Sequence, residues 1–167
     1  MKPAVPKPRS DVHTPQVRSY NMSRIRGRDT RPELLIRRGL HARGYRYRLH
    51  DKGLPGRPDM VFSKRRAVLF VHGCFWHGHD CPLFRMPATR TDFWATKIAT
   101  NRSRDAKVRA ALSGAGWRVL TIWECSLRGA DRWPQEQILD FCEVFLKGAI
   151  SVGEIANRSK STGQIDG

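Results

Sequence analysis

Acidic side chains are scarce in this chain: 15 Asp and Glu face 31 Lys and Arg across 167 residues, a net charge of +16. Long apolar runs are missing too. Nothing approaches the roughly 18 apolar residues that cross a bilayer, and the start of the chain carries no apolar signal core. Neither a membrane span nor export is therefore expected, and the predicted location is the cytoplasm. Cysteine is sparse, with four residues in all. In a reducing compartment, four cysteines read as metal ligands or free thiols rather than disulfides. Internal repeats are absent.

The length suits one domain with a real core. The excess of positive charge is harder to accommodate, because self-repulsion opposes the compact state. Residues 1–31 hold eight Lys or Arg and two Asp, so six of the sixteen net charges lie there and ten on the body. A polyanionic partner, nucleic acid first, accounts for such a balance better than solubility alone.

Residues 1–28 contain four prolines, many Arg and no apolar period, and read as a flexible basic arm. Residues 148–167 read as a second loose tail. Between them, residues 29–147 form the expected domain. Thr30 followed by Glu33 makes a capping box, which predicts a helix over 31–43 stopped by Gly44. The alternation Y-R-Y-R-L-H predicts a strand over 45–50, and short strands are expected over 59–62 and 67–71. Thr91 is the expected cap of a long helix over 92–113. W-R-V-L-T-I-W predicts a strand over 117–123, and an amphipathic helix follows over 134–147. This order gives an α/β domain, a mixed sheet flanked by helices.

One short segment concentrates the chemistry. From Val71 to Cys81 the chain reads V-H-G-C-F-W-H-G-H-D-C. Cys and His are ligands that zinc prefers, and His also moves protons near neutral pH. Cys74, His79 and Cys81 give C-x4-H-x-C, and Cys125 follows the strand ending W-E-C. Two loops leaving neighbouring strands can meet around one zinc as a closed, structural Cys3His site. His77 competes for the histidine place, and packing cysteines with surface histidines are the plainer alternative. Cys142 shares the apolar face of the last helix with Ile138, Phe141 and Phe145 and reads as core.

Cleaving a phosphodiester calls for a cation near the phosphate and an activated water. Asp59, following G-R-P at the start of a strand, suits magnesium, which prefers oxygen ligands. His72 and His77 bracket the loop and can exchange protons. Each residue alone reads more simply as a turn aspartate or a surface histidine; their combination in a basic protein favours catalysis.

L-P-G-R-P-D-M-V-F, V-L-F-V-H-G-C-F-W-H-G-H-D-C, P-A-T-R-T-D-F-W and G-W-R-V-L-T-I-W-E-C together resemble the very-short-patch-repair (Vsr) DNA mismatch endonucleases. The likeness covers roughly residues 20–130 in collinear order. It implies a restriction-endonuclease-like core, three-layer α/β/α with a structural zinc. The implied activity nicks one strand 5′ to the thymine of a T:G mismatch left by deamination of 5-methylcytosine. Residue by residue, Asp59 matches the magnesium-binding aspartate, with the Val71 carbonyl as a further ligand. His77 matches the catalytic histidine, His72 the preceding active-site histidine, and Glu33 a nearby acid. Cys74, His79, Cys81 and Cys125 match the zinc ligands. Phe75, Trp76, Trp94 and Met22 match apolar wedges beside the mispair, where unstacking costs least. Arg57, Lys97, Arg102, Arg104 and Lys107 are the expected phosphate contacts.

The expected cofactors are therefore Mg2+ for catalysis and Zn2+ for structure. The expected partner is double-stranded DNA with a T:G mismatch, bound by a monomer, with mismatch-repair proteins as further candidates. Two rivals stand beside this reading. One is a restriction-type enzyme cutting both strands of paired DNA; the other is a non-catalytic zinc-stabilised nucleic-acid-binding module. A zinc deaminase is disfavoured, because the loop lacks the glutamate beside a ligand histidine and the P-C-x-x-C pair.

Overall fold

The computed structural model describes Thr14, Val17 and residues 27–159. Met22, most of the basic arm and residues 160–167 lie outside the described residues.

Pro32 near the first turn and the Thr30–Glu33 capping box start helix α1, Arg31–Ala42. Thr30 Oγ1 accepts from the Glu33 N–H, while the Glu33 carboxylate accepts from Thr30 Oγ1 and from the Asp29 N–H. Gly44, at φ +87°, turns the chain out of the helix, as expected of a C-terminal stop. Strand β1 (Met60–Phe62) passes through a short 3-10 turn, Ser63–Arg65, into β2 (Ala67–His72). Helix α2 (Thr91–Gly114) returns the chain to β3, Arg118–Trp123. The single-turn helix α3 (Glu124–Leu127), helix α4 (Gln135–Lys147) and strand β4 (Val152–Ile155) complete the order.

The sheet is mixed and runs β1-β2-β3-β4. β1 pairs antiparallel with β2, while β2, β3 and β4 are mutually parallel. Side chains alternate across it. Met60, Phe62, Leu69, Val71, Leu120 and Ile122 join Ile36 and Leu40 of α1 and Ile138, Leu139 and Cys142 of α4 in the main core. Cys142 is core, as its position on the helix implied. Val61, Val68, Phe70 and Val119 face the other way, against Leu112 and Val108 of α2. Helices thus cover both faces. At one end of the pair α1–α4, Arg43 bonds the carboxylates of Glu136, Asp140 and Glu143.

Three expectations are corrected. The predicted strand over 45–50 reduces to one bridge between Arg48 and Val61. Its upstream end is drawn to α1, since the Tyr45 N–H bonds the Leu40 carbonyl, and at its other end His50 turns to φ +47°. Thr91 is the first residue of α2 rather than its cap: Arg90 holds the cap position with no side-chain bond, and Thr91 Oγ1 bonds the Pro87 carbonyl. The stretch expected to be a loose tail contributes β4 to the sheet.

That strand is anchored by its last residue, since Ile155 is buried in the main core. Among the described residues, no helix is long and apolar enough to cross a membrane. Truncating Ile155 to alanine is expected to cost about 3 kcal/mol of unfolding free energy in urea titrations. A frayed tail would give less than about 0.5 kcal/mol.

Candidate active site and metal centre

The pairing of β2 with β3 aligns His72 with Trp123, the last residue of each strand. Because the strands are parallel, both leave the sheet at the same edge. Two residues beyond each end stand Cys74 and Cys125, and the Cys125 N–H donates to Cys74 Sγ at 3.3 Å. The loop after β2 folds back so that His79 Nδ1 lies 3.7 Å from Cys74 Sγ and 3.5 Å from Cys125 Sγ. Cys81 completes the group, and the four ligand atoms lie within 4.8 Å of one another. A tetrahedral ion with zinc–sulfur and zinc–nitrogen bonds of about 2.3 and 2.0–2.1 Å requires sulfur–nitrogen edges of about 3.6 Å. The observed edges match.

Electrostatics point the same way. The Cys125 thiol is held below the usual thiol range by its hydrogen bond from Cys74 and by His79. Cys74 is pushed upward by its bond to Cys125 and by burial. Two adjacent buried thiols cannot both ionise without a cation between them. The donor set therefore fits a soft divalent ion, and all three cysteines are buried within it. His77, the rival ligand, belongs to a different cluster.

A cleft of about 460 Å3 lies beside this centre, lined by Asp59, Val71, His72, His77, Glu33 and Asp105 among others. Asp59 shares the parity of Val61 and His72 that of Phe70, so both face the side covered by α2. Asp59 is mostly buried. Its Oδ2 accepts the Val71 N–H at 2.7 Å, and among the described residues its Oδ1 has only His50 Nδ1, at 3.8 Å, beyond hydrogen-bonding range. Burial pushes its carboxyl up to about 7, and the Glu33 charge adds to the rise despite the Val71 bond. A buried carboxylate with one uncommitted oxygen on a cleft wall fits a hard cation such as magnesium, which takes oxygen donors and keeps several waters.

His72 and His77 stack at 3.8 Å with an interplanar angle of 4°. Burial, reinforced by His77, lowers the His72 imidazole to about 3, so it is neutral at physiological pH. Its Nδ1 is buried without a hydrogen-bond partner among the described residues. His77 Nδ1 instead meets Asp105 Oδ2 at 2.5 Å. Asp105 was not singled out from the sequence. The signal available was its isolation, as the one acid besides Asp92 in the basic helix α2.

Glu33 lies in the cleft wall, buried, with its carboxylate accepting from Thr30, the Asp29 N–H and Arg37. These three bonds make it an anchor of the helix start beside the cleft. The expected phosphate contacts divide. Arg57 and Arg104 line the cleft and Arg102 lines an adjoining one beside His77, whereas Lys107 lines neither. Lys97 Nζ sits 5.4 Å from the Trp76 ring centroid and 5.7 Å from that of Trp94. Arg109 joins the cleft, a further cation not singled out from the sequence.

The aromatics converge. Phe75 packs edge-on to Trp76 at 5.1 Å and to Trp94 at 5.2 Å. Phe93, 44% exposed, extends the cluster into solvent. Asn101 of α2 ties down the loop by donating to the Trp76 carbonyl. None of the three rings lies in the main core, so ordinary core packing does not explain them.

The DNA mismatch endonuclease Vsr family matches residues 10–83. The Vsr DNA mismatch endonuclease of Escherichia coli (strain K12) is 45% identical over 139 residues, covering 83% of this chain and 89% of that protein. The chain belongs to the Vsr family. The type II nicking enzyme V.XorIIP of Xanthomonas oryzae is 52% identical over 118 residues, 71% of this chain and 87% of that protein. V.NmeAIP, a type II nicking enzyme of Neisseria meningitidis serogroup A, is 44% identical over 119 residues, 71% of this chain and 85% of its own. As a member of the Vsr family, the protein is a DNA endonuclease.

The loop of this Vsr-family site depends on Gly78, which has φ +59° and lies where an added Cβ would fall 2.4 Å from Ile98 Cγ2. Substituting alanine imposes both a left-handed backbone, about 1–2 kcal/mol, and overpacking against a buried side chain. Gly78→Ala is expected to lower unfolding free energy by about 2–4 kcal/mol in urea denaturation.

Proposed function

We propose that this protein is a magnesium-dependent endonuclease that nicks one strand of DNA 5′ to the thymine of a T:G mismatch. Such mismatches arise when 5-methylcytosine deaminates, and the nick would begin very short patch repair. The observation that carries this reading is the single cleft in which Asp59, with one free oxygen, faces the stacked pair His72–His77. The sheet covered by helices on both faces suits the three-layer, restriction-endonuclease-like architecture of this family, with residues 29–147 as the catalytic domain and β4 as its extension.

Asp59 and the Val71 carbonyl would hold Mg2+. When bound, the ion supplies charge neutralisation at the scissile phosphate. His77 takes the proton of the attacking water through Nε2, because Nδ1 is committed to Asp105. That carboxylate fixes the tautomer and stabilises the positive ring formed on proton transfer. His72 remains neutral, so its part is to support the His77 ring by stacking and to donate one hydrogen bond to a phosphate oxygen. It does not clamp charge. Arg57, Arg104 and Arg102 contact backbone phosphates and position the duplex without reading it.

Phe75, Trp76 and Trp94 form a wedge at one flank of the cleft. Prying bases apart costs a few kcal/mol and least at a mispair, which favours mismatched over paired DNA. The same cost weighs against a restriction-type enzyme, which must accept fully paired duplex. Met22 of the arm is assigned to the same wedge. The Cys74, His79, Cys81 and Cys125 centre holds Zn2+ in a closed site that braces the loop, and its partner is double-stranded DNA in the cytoplasm, approached as a monomer. Association with mismatch-repair proteins belongs to the same reading.

A heteroduplex with one T:G pair, incubated with Mg2+, is expected to be nicked in the thymine strand, and its fully paired counterpart to be spared. Asp59→Ala should lower the nicking rate by at least a few hundred-fold, roughly the contribution of 3–4 kcal/mol, with mismatch binding retained. Double-strand products without mismatch preference would instead establish the restriction-type enzyme.

The zinc assignment has its own check. Elemental analysis of purified protein should find about one zinc per chain. Cys81→Ser is expected to lose the ion and lower the melting temperature, and full occupancy by the variant would remove Cys81 from the site.

A further inference from the structure

A second set of groups, Arg37, Glu33 and Asp29, adjoins Asp59 through His50. Arg37 of α1 is buried, with 5% of its surface exposed. Its Nη2 donates to Glu33 Oε2 at 2.9 Å and lies 2.8 Å from His50 Nε2. Nη1 reaches the Asp29 carboxylate. The three groups Asp29, Glu33 and His50 are clustered closely enough to suggest a cation site. The guanidinium of Arg37 fills it.

The consequence runs outward from that guanidinium. An arginine nitrogen can only donate, so His50 Nε2 must accept, and the ring hydrogen must sit on Nδ1. That nitrogen faces Asp59 Oδ1 at 3.8 Å. On its other side, Asp59 Oδ2 is held by the Val71 N–H. The carboxylate is thus set between a backbone N–H on one oxygen and a fixed N–H dipole near the other. The gap of 3.8 Å is too long for a hydrogen bond, so Oδ1 keeps its lone pairs for another ligand while its direction is constrained.

We infer that Arg37 and His50 are positioning residues for the metal-binding oxygen of Asp59. Arg37 fixes the His50 tautomer, His50 orients the carboxylate, and Glu33 and Asp29 neutralise the buried guanidinium. This rests on the reading that Asp59 holds Mg2+. It also gives Glu33 a part in the site, as the anchor of Arg37. Groups that orient a metal ligand from behind typically change metal affinity by about 10–100-fold when removed.

The test uses the full-length, zinc-loaded protein and a T:G heteroduplex. Half-saturating Mg2+ and kcat are measured by nicking, and Mn2+ binding by the electron paramagnetic resonance of the free ion. His50→Phe, which keeps a ring but no N–H, is expected to raise half-saturating Mg2+ and weaken Mn2+ binding about 10-fold. Mismatch affinity should stay unchanged. His50→Gln, whose amide can accept from Arg37 and donate toward Asp59, should recover both to within about threefold. Arg37→Met should shift both metal readouts in the same direction as His50→Phe, whatever its effect on melting temperature.

Metal dependence in His50→Phe within twofold of the parent, with Asp59→Ala inactive and unable to bind Mn2+, would overturn the positioning role alone. Equal impairment in His50→Gln and His50→Phe would overturn it as well. An Asp59→Ala variant that still binds Mn2+ and nicks would overturn the magnesium reading itself.

Discussion

Parallel register between β2 and β3 is the constraint on which the site depends. Six consecutive residue pairs, from Ala67 with Arg118 to His72 with Trp123, bring two strand ends to one edge in step. A slip of one residue would turn every side chain of one strand to the other face. Val68 and Phe70 would then enter the main core while Leu69 and Val71 would meet α2. The apolar pattern resists such a slip, and the thiol–imidazole centre closes over the ends that remain. Register, core and loop are thus one arrangement.

From that edge outward, burial sets the chemical character of each group. Asp59 and His72 both face the α2 side, and both are driven toward their neutral forms by loss of water. The responses differ in use. The Asp59 carboxyl, raised to about 7, loses its proton readily near neutral pH, while the His72 imidazole, lowered to about 3, remains an uncharged plate stacked on His77. His77 is set apart by Asp105, delivered from the middle of α2. That helix buries only Ile98 and Leu112 along its 24 residues. Its remaining surface is left to carry Asp105, the loop anchor Asn101 and the cations around the cleft. A helix with so little core face is held by contacts along its middle, Asn101 and Asp105 to the loop and Ile98 and Val108 beside Gly78 and Gly56, which let neighbouring loops approach it closely.

Local chemistry explains what could be read without coordinates. The capping box of α1, the apolar face of α4 and the ligand spacing of Cys74, His79 and Cys81 are short-range patterns, each found within a residue or two of its expected place. Phe141, expected on the apolar face of α4, is the exception and is exposed against Trp133. Spacing and resemblance favour His79 over His77, and the fold sets the two apart, with His79 beside the cysteines and His77 beside His72 and Asp105. Asp105, His50 and Arg37 were illegible. Each acquires its role from a partner on another segment, at separations of 28, 9 and 13 residues for the pairs His77–Asp105, His50–Asp59 and Arg37–His50. Strand β4 was hidden by composition, since V-G-E-I between polar residues carries little apolar signal until Ile155 meets the core. The alternating segment at Tyr45 misled in the opposite sense: its period suits a strand, but the ends of the segment are drawn into turns.

Val71 shows how one residue can answer to two demands independently. Its side chain packs in the main core with Leu69 and Ile122, whereas its peptide N–H is bound by Asp59. The identity of this residue is therefore a matter for the hydrophobic interior, while only its main chain meets Asp59. An apolar side chain of similar volume would leave the Asp59 contact as it is, because the backbone alone presents that N–H.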